Sequence, residues 1–555
     1  MERVGDHDYR IDKQGKVKLF HANMLKKYDQ RQTAPPSVKL QSTTKGLFMH
    51  VCVGLIDSQP LDNGINGPGS EFSELVEFLP LQGTQSVKDV HINPELDTHQ
   101  RQDIICLLSK FKDVLTDIPG RTKLVEHDIK LTTNEPIRTK AYPVPLSANE
   151  IIIREVNDML DLDIIERSES PYASPIVLVK KQDGTVRLCN DFRKLNKITI
   201  FDAEPMPNPD EMFARLYNGR YLTKFDLTKG FWQIPLSKNA RQKTAFQTPL
   251  GLMHYKVLPF GLSNSPANFS RMMRLLLDGL QDNVVNLIDD ILMYDPTWGK
   301  HLENIGTVLS RLKISGLTAK PSKCYLAYTK LEFLGHMVGE GLLRVVQSKI
   351  DALERAPSPT TITQVRSFIG FCSYYRKFVP NFAAIAAPLY DLTRKGQPKL
   401  VVWKQVHQNA FIELKQALSS TPILYLPNLD KVFVLRTDAS HEGLGAVLLQ
   451  YDEDVAHPIA YASRKLSSAE SNYAVIEKEC LAIIWGLRKF QQYLLLKEFC
   501  IETDHQPLIY LNKTRMNNGR LMRWALYLQT YSYRVVAIKG SNNVGADFLS
   551  RNAID

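Results

Sequence analysis

The sequence has few cysteines and no long apolar run. Its seven cysteines among 555 residues are odd in number and are never spaced as Cys-x-x-Cys. Disulfide frameworks and structural zinc sites need paired or closely spaced cysteines, so this usage predicts a reducing compartment and no zinc site. No stretch approaches the ~18 apolar residues of a membrane-spanning helix, and the charged start MERVGDHDYR is unlike a secretory signal. We therefore expect an intracellular protein that is not secreted and has no membrane partner.

The composition is that of a large globular chain with an excess of positive charge. Hydrophobic residues make up 44% of the sequence, and its length is enough for three or four domains. Lysine and arginine number 69 against 59 aspartates and glutamates, a formal net charge of +10. This balance suits a polyanionic partner such as a nucleic acid, although simple solubility explains it equally well.

Changes in composition divide the chain into segments. Residues 1–30 contain short strand patterns and a basic stretch, and residues 31–90 are rich in Pro, Gly, Ser and Asn, which is typical of a linker. Strand patterns alternate with helical ones from 171 to 345. A new strand, KVFVLRTD, begins a separate α/β domain at residue 431. The predicted fold class is therefore a multidomain α/β (α+β) protein.

A helical, aromatic and basic segment follows Thr361. It opens with a T-x-x-Q capping box and continues as VRSFIGFCSYYRKF. Phe368 and Phe371 are expected on a packed helix face. Tyr374, Arg376 and Lys377 suit either packing or contact with a nucleic acid, and the sequence leaves both open.

Two adjacent aspartates lie inside an apolar stretch, NLIDDILMY, at residues 286–294. Burying an unpaired carboxylate costs several kcal/mol, and a second like charge beside it adds to that cost. Asp289 and Asp290 therefore need a lysine or arginine partner, a bound metal ion, or exposure at a turn between two strands. From this stretch alone, exposure at a turn is favoured.

A third aspartate, Asp226, emerges from another apolar strand in KFDLTKGFWQIPL. Phosphoryl transfer by two metal ions needs carboxylates from separate strands, because neighbours on one strand point to opposite faces. Asp226 is therefore a candidate to join Asp289 and Asp290 in one site.

Five motifs in order resemble the reverse transcriptase of gypsy-type LTR retrotransposons. They are PYASPIVLVKKQDGTVRLCNDFRKLN, KFDLTKGFWQIPL, PFGLSNSPANF, LIDD and LEFLGH. The resemblance implies a right-hand polymerase with fingers and palm at residues 91–350 and a thumb and tether at 351–430. It also implies that Asp226, Asp289 and Asp290 hold two Mg²⁺ ions, for which Mn²⁺ is a substitute. One ion would activate the primer 3′-hydroxyl, and both would stabilise charge on the transferred phosphate.

The same resemblance implies contacts to the incoming nucleotide. Lys181 and Arg187, on a predicted finger hairpin, match the family's triphosphate contacts. Phe231 matches the steric gate, an aromatic ring that crowds a ribose 2′-OH and favours deoxynucleotides. Without the resemblance, the two cations would be solvated strand charges and Phe231 a core residue.

The primer end is expected at the last of the five motifs. There the matching residues are Phe333, Leu334, Gly335 and His336. Taken alone, His336 is equally well explained as a structural histidine.

The C-terminal part resembles the ribonuclease H domain that follows reverse transcriptase in the same elements, which implies such a domain at residues 431–555. The motifs are TDASHEGLGAVLLQ, IEKECLAIIWGLRKF, IETDHQPLIYL and KGSNNVGADFLSR. Four carboxylates on four elements would hold two further Mg²⁺ ions that activate water to cut the RNA of an RNA/DNA hybrid. Singly, each is more typical of a helix cap or a surface charge. The four are Asp438, Glu479, Asp504 and Asp547.

Residues 1–30 resemble the β-rich tail of gypsy-type integrases, so we interpret the chain as part of a polyprotein that also serves DNA integration. The expected function is an RNA-directed DNA polymerase with ribonuclease H activity, in a cytoplasmic particle or the nucleus. The implied partners are an RNA template, a DNA primer, RNA/DNA hybrid and dNTPs, with a dimer as an option. The alternative is a decayed or host-retained copy that only binds nucleic acid. Leu287, where most relatives have Tyr or Phe, leaves the activity of this copy open.

Overall fold

The computed structural model describes residues 83–145, 148–180, 186–398, 400–420, 423–441, 443–503 and 519–538, together with three short N-terminal strands. The chain forms two compact units, residues 1–69 and 70–555. In the first unit, the three strands form an antiparallel sheet in chain order. They are β1 (Glu2–Arg3), β2 (Asp8–Lys13) and β3 (Lys16–His21). β2 and β3 contain the stretches DYRI and KVKLF, whose patterns predict strands.

The second unit begins with elements that build the fingers and one edge of the palm. They are β4 (His91–Ile92), α1 (Thr98–Ser109), α2 (Asn149–Asp161), β5 (Ile165–Arg167), β6 (Ile176–Lys180), β7 (Val186–Asn190) and α3 (Arg193–Ile198). β6 and β7 pair as an antiparallel hairpin, as the sequence predicts.

The sequence predicts a helix from Asp97 to about Thr116 with Ile104 and Ile105 on its apolar face, and helix α1 starts there but ends earlier. Asp97 caps it by accepting a hydrogen bond from the Gln100 N–H at 2.8 Å. The helix ends at Ser109, although an apolar face was expected to continue to about residue 116. Ile104 is fully buried, whereas Ile105, expected on the same face, is 44% exposed. Residues one apart on a helix differ by about 100° in direction, so both cannot face the core equally.

The next stretch builds the palm and the base of the thumb. Its elements are α4 (Pro209–Arg215), β8 (Tyr221–Asp226), α5 (Lys238–Lys243), β9 (Phe246–Thr248), β10 (Gly251–Tyr255), α6 (Ser265–Leu276), β11 (Val284–Leu287), β12 (Asp290–Asp295), α7 (Trp298–Ser315), β13 (Tyr325–Tyr328), β14 (Lys330–Phe333), β15 (His336–Gly339) and β16 (Leu342–Val345).

The palm is a five-stranded sheet in the order β11-β12-β8-β13-β4. Strand β12, between β11 and the central strand β8, is covered on both faces, because Ile291, Leu292 and Met293 are all fully buried. A continuous apolar run of this kind is typical of a strand buried on both sides. The sheet therefore gives a rigid base to Asp226 at the end of β8 and to Asp290 at the start of β12.

Residues 83–93 pack on the palm, which corrects the linker predicted for residues 31–90 at its C-terminal end. Thr84 donates from its backbone N–H to the Asp117 carboxylate at 3.0 Å, and Val90 is buried. β4 then pairs in parallel with β13, with His91 opposite Tyr325. Composition could not show this packing, because these residues bury their surface against strands far away in sequence.

The thumb follows, and its hydrophobic core is continuous with the palm, since the same cluster includes Leu222 on β8 and Leu292 on β12. Its elements are α8 (Gln347–Arg355), α9 (Ile362–Tyr374), α10 (Phe382–Asp391), α11 (Gln405–Ser419) and β17 (Ile423–Tyr425). The predicted capping box at Thr361 is confirmed, since its side chain and that of Gln364 hydrogen-bond reciprocally across the helix start. β17 returns to pair with β16, and this closes a four-stranded sheet, β14-β15-β16-β17.

The last domain is a mixed sheet in the order β20-β19-β18-β21-β22, with α12 packed across it. Its elements are β18 (Phe433–Ala439), β19 (Gly443–Asp452), β20 (Val455–Lys465), α12 (Val475–Lys489), α13 (Gln491–Leu494), β21 (Glu498–Thr503), α14 (Gly519–Leu528) and β22 (Ser532–Ala537). The predicted mixed α/β class is confirmed. Among the described helices, none is both long and apolar enough to cross a membrane.

Candidate active sites

Two of the three palm aspartates face each other across neighbouring strands. β8 and β12 pair antiparallel, with Asp226 directly opposite Asp290. Side chains of directly opposed residues project from the same face of a sheet, so these two carboxylates share one face. Their side chains are 14% and 24% exposed. From its own stretch, the pair Asp289 and Asp290 was expected to be exposed at a turn between two strands; the turn is present, but both aspartates are only partly exposed.

Asp289 lies in the two-residue turn that joins β11 to β12. Its carbonyl oxygen accepts a hydrogen bond from the Leu227 N–H at 3.2 Å, which ties the turn to the end of β8. Ile288, the other turn residue, has a φ of +53°, a backbone region that β-branched residues rarely adopt. A Cβ at Gly230 would lie 3.1 Å from the Asp289 Cβ, so glycine allows the next segment to approach the turn closely.

A buried polar network fixes the two carboxylate-bearing strands behind this face. His301 on α7 is fully buried between Asp295 at the end of β12 and Thr223 on β8. Its Nδ1 lies 2.7 Å from Asp295 Oδ2, and its Nε2 lies 2.8 Å from Thr223 Oγ1. Asn304 donates to the other Asp295 oxygen at 2.7 Å. One helix therefore holds both strands in a fixed register.

Two lysines pair with the palm carboxylates. Lys224 Nζ lies 3.1 Å from Asp290, and Lys323 Nζ lies 3.0 Å from Asp226. Sequence reasoning named neither residue. Lys224 could have been found, because it lies two residues before Asp226 on one strand and so shares its face. Lys323 gave no signal, since it is 97 residues from Asp226 in the chain.

Burial is the main reason that two carboxylates at this face have raised pKa values. Burial, followed by the charges of Asp226 and Asp290, raises the pKa of Asp289 to about 6. Burial also raises the pKa of Asp226, and the neighbouring Lys323 only partly opposes this. Two lysines thus balance three carboxylates incompletely. Carboxylate oxygens are the ligands that Mg²⁺ prefers, so the donor set fits a divalent cation.

Phe231 follows Gly230, the residue that approaches the aspartate turn closely. Its ring is partly buried and meets Phe260 and Phe269 edge to face, with centroids 5.3 Å and 5.4 Å away. This packing holds the ring in one orientation.

The two finger cations are not placed by the structure. Lys181 lies outside the described residues. Arg187 is on β7, opposite Val179 on β6, and its side chain is outside the described part.

The motif expected at the primer end forms a tight turn between β14 and β15. Leu334 and Gly335, at the turn, have φ values of +48° and +69° and are partly buried. Phe333 and His336, on either side, are 0% and 2% exposed, so their side chains lie in the core and only the turn remains accessible. His336 Nδ1 hydrogen-bonds the Leu334 carbonyl at 2.9 Å, and burial lowers the pKa of His336 to about 3.

Two carboxylates of the last domain lie on elements that pack against each other. Asp438 is near the end of β18 and Glu479 is on α12, and both are buried. Gly486 allows the close packing, because a Cβ there would already lie 3.2 Å from the Thr437 side chain on β18. Asp504 and Asp547 lie outside the described residues.

Within the described chain, no three His, Cys, Asp or Glu side chains stand ready to share a metal ion. At the palm, Lys224 and Lys323 engage two of the three carboxylates.

Comparison with known families divides the chain in the same way. The family described as reverse transcriptase (RNA-dependent DNA polymerase) matches residues 179–338. The family described as RNase H-like domain found in reverse transcriptase matches residues 428–531.

Similar proteins are transposon polyproteins. The Retrovirus-related Pol polyprotein from transposon 297 of Drosophila melanogaster is 39% identical over 440 residues, which are 78% of this chain and 41% of that protein. The corresponding gypsy polyprotein is 33% identical over 497 residues, 86% of this chain and 47% of the relative. The Tf2-3 polyprotein of Schizosaccharomyces pombe is 33% identical over 461 residues, which are 80% of this chain and 34% of that protein. This chain thus spans less than half the length of each of these relatives.

Solved structures with the same fold include the foamy viral protease-reverse transcriptase in complex with dsDNA. It superposes with a TM-score of 0.71 at 24% identity and covers 87% of this chain and 99% of its own. A dRH form with ds DNA gives a TM-score of 0.73 at 23% identity, covering 88% and 85%. The sequence matches and the fold agree: the chain contains a reverse transcriptase domain and an RNase H-like domain, and it is similar to the Pol polyproteins of gypsy and other LTR transposons.

Proposed function

We propose that this chain is an RNA-directed DNA polymerase with ribonuclease H activity that copies element RNA into DNA. The observation that carries the proposal is the palm face, where Asp226 and Asp290 oppose each other on paired strands and Asp289 joins them at the turn. Only two lysines accompany these three carboxylates, and the pKa values of Asp226 and Asp289 are raised. This arrangement fits a site for divalent cations.

Asp226, Asp289 and Asp290 would hold two Mg²⁺ ions, or Mn²⁺ in their place. When bound, the metal would activate the primer 3′-hydroxyl and stabilise the charge of phosphoryl transfer. The primer 3′-oxygen forms a bond to the nucleotide α-phosphorus while the bond to pyrophosphate breaks. Lys224 and Lys323, which pair with Asp290 and Asp226, would serve as counter-ions of these carboxylates in the metal-free state.

Phe231 is proposed to select deoxynucleotides. Its ring is held by Phe260 and Phe269, and it follows directly on the glycine that contacts the aspartate turn. A rigid ring in that place discriminates by steric exclusion of a 2′-OH. Lys181 and Arg187 would contact the triphosphate.

The turn of Leu334 and Gly335 is proposed to support the primer end. Phe333 and His336 would act below it, by packing that fixes the turn. This support matches the partial exposure of the turn and the burial of its two neighbours.

Asp438, Glu479, Asp504 and Asp547 would form the second site, where water attacks a phosphorus of the RNA strand and the 3′-oxygen leaves. RNA/DNA hybrid is the proposed substrate, and RNA template, DNA primer and dNTPs are the partners of the first site. The foamy viral neighbours, solved with dsDNA or with RNA/DNA hybrid, support a nucleic-acid duplex as ligand. The N-terminal strands are compatible with an integrase tail.

Separate inactivation of the two sites tests this function. Asp226→Asn should abolish primer extension on an RNA template while hybrid cleavage continues, and Asp438→Asn should do the reverse. Asp113→Asn, on the surface and outside both sites, is the matched control and should retain both activities. Loss of both activities in a folded single variant would refute the two-site assignment. A natural chain that binds duplex but neither extends nor cuts would be the binding-only copy.

A further inference from the structure

The segment Tyr374–Phe378, with sequence YYRKF, connects three parts of the molecule. Its two tyrosines bind the turn that precedes β15: Tyr374 Oη donates to the Leu334 carbonyl at 2.6 Å, and Tyr375 Oη donates to the Gly335 carbonyl at 2.8 Å. Phe378 stacks on the buried His336 ring at 5.6 Å. The segment therefore fixes the turn proposed to support the primer end.

Lys377 connects the same segment to the palm. Its Nζ lies 3.0 Å from Asp210 at the start of α4 and 4.4 Å from the centre of the Phe213 ring. Lys377 is only 17% exposed, so the pair is sheltered on the lysine side. Burial opposes ionisation of Asp210, but Lys377 and then Lys489 of the last domain outweigh it and lower the Asp210 pKa. One carboxylate on the palm thus interacts with cations from both the thumb and the RNase H-like domain.

Arg376 connects the segment to the RNase H-like domain. Its guanidinium donates to the Ser463 carbonyl on β20 at 3.2 Å. The Ser463 hydroxyl in turn accepts a hydrogen bond from the Ala383 N–H on α10 at 3.0 Å. β20 is the edge strand of its sheet. The carbonyl and the hydroxyl of Ser463, a buried residue, therefore both accept hydrogen bonds from the thumb side.

Ser463 lies in the same row across the sheet as Asp438, one of the carboxylates proposed for the second site. It is directly opposite Gly445 on β19, and Gly445 is directly opposite Asp438 on β18. The strands are about 4.8 Å apart, so the Arg376 contact lies roughly 10 Å from the backbone of Asp438 across two rigid strand pairs. A second contact nearby, Asn208 Nδ2 to Gln492 Oε1 at 3.3 Å, joins the palm to α13.

These contacts answer the question that the sequence left open for Arg376 and Lys377, because both cations bind protein groups. We propose that Arg376 and Lys377 are positioning residues that fix the RNase H-like domain against the palm and so set the distance, along one bound duplex, between the polymerase site and the point of hybrid cleavage. This role rests on the proposed function. The tyrosines of the same segment place the primer-end turn, so one five-residue stretch sets both ends of that distance.

The first test maps where the RNA is cut. A labelled RNA template annealed to a recessed DNA primer is incubated with the full chain and Mg²⁺ without dNTPs, and cut positions are counted from the primer 3′-end. The natural chain should give one narrow cluster of cuts. The double variant Arg376→Gln, Lys377→Met should spread the cuts over several nucleotides. Primer extension and total hybrid hydrolysis should stay within about twofold, the scatter of substitutions outside an active site.

Matched controls separate this effect from a general loss of charge. Arg394→Gln and Lys313→Met remove exposed cations from surface ion pairs away from the junction and should leave the narrow cluster unchanged. Asp210→Asn removes the palm partner without altering the thumb and should broaden the cuts. An unchanged cluster in the folded double variant, or equal broadening in the controls, overturns the proposal.

A second measurement is independent of catalysis. Hydrogen exchange of the β20 amides in the free protein should accelerate in the double variant and not in the controls. Unchanged exchange overturns the docking role whether or not the chain is active. A natural chain with protected β20 amides but no synthesis or cleavage would refute the proposed function instead, and with it the spacing role.

Discussion

Replacing Asp289 by asparagine should stabilise the metal-free protein while abolishing DNA synthesis. Burial and the neighbouring carboxylates raise the pKa of Asp289 to about 6 from an ordinary value of 3.8. The ionised carboxylate is therefore a source of strain in the folded state at neutral pH. Asparagine has the same shape without the charge, so it removes the repulsion and also a proposed metal ligand.

The size of the effect follows from the shift. A difference of roughly two pKa units corresponds to about 3 kcal/mol at about 1.4 kcal/mol per unit. Partial exposure and the nearby Lys323 and Lys224 reduce this, so we expect ~1 to 2 kcal/mol. The folded state holds the proton more tightly than the unfolded state. Stability of the natural chain should therefore fall as pH rises from about 4 to about 6, and the full cost should persist above that.

Unfolding in EDTA at pH 7.5 and pH 5.0 measures this. The Asp289→Asn protein should be more stable at pH 7.5, and the difference should shrink at pH 5.0. Adding Mg²⁺ at pH 7.5 should stabilise the natural chain more than the variant, because a ligand stabilises only the state that binds it. The control, Asp113→Asn, should not stabilise, since the hydrogen bond from Lys313 lowers the pKa of Asp113. A variant that is less stable at pH 7.5, or whose gain is independent of pH, refutes the reasoning.

Further predictions concern the nucleotide, the primer and the chain's N-terminal part. Phe231→Val should admit ribonucleotides far better, and an unchanged ratio of dNTP to rNTP incorporation would exclude the gate role. Leu287→Tyr should raise single-turnover efficiency roughly ten- to thirtyfold by adding ring packing and a hydroxyl hydrogen bond; no gain would show that leucine is fully adequate there. Deletion of residues 1–82 should leave polymerase activity intact, whereas deletion of 1–93 should destroy it by removing β4; equal activity of the two truncations would contradict the packing argument. Binding to template-primer should weaken by ~tenfold or more between low and moderate salt, and a salt-insensitive Kd would count against phosphate-dominated binding.

Local signals in the sequence predicted local structure well. The hairpin of β6 and β7 and the capping box at Thr361 depend on residues a few positions apart, and both are confirmed. The three palm aspartates were located because each interrupts an apolar strand pattern. Asp226 and Asp290 are opposed on one face as a shared site requires, although their role as ligands stays a prediction.

The contacts that the sequence did not predict join distant parts of the chain. Lys323 reaches Asp226 only because β8 and β13 are neighbours in the sheet, a pairing that periodicity cannot show. For Arg376 and Lys377 the sequence left packing and nucleic-acid contact both open, because their partners Ser463 and Asp210 lie 87 and 167 residues away. Charge and composition identify a group that needs a partner. They do not identify the partner.

The packing of residues 83–93 has a consequence for maturation of a polyprotein. His91 stacks on Tyr325, with ring centroids 4.6 Å apart, and the Gln85 side chain accepts a hydrogen bond from the Ser322 N–H at 3.2 Å, directly before Lys323. These residues therefore brace the loop that carries the counter-ion of Asp226. A protease that separates the polymerase from an upstream segment keeps this brace only if it cuts before Gln85, and cleavage beyond Ile92 would also remove an edge strand of the palm.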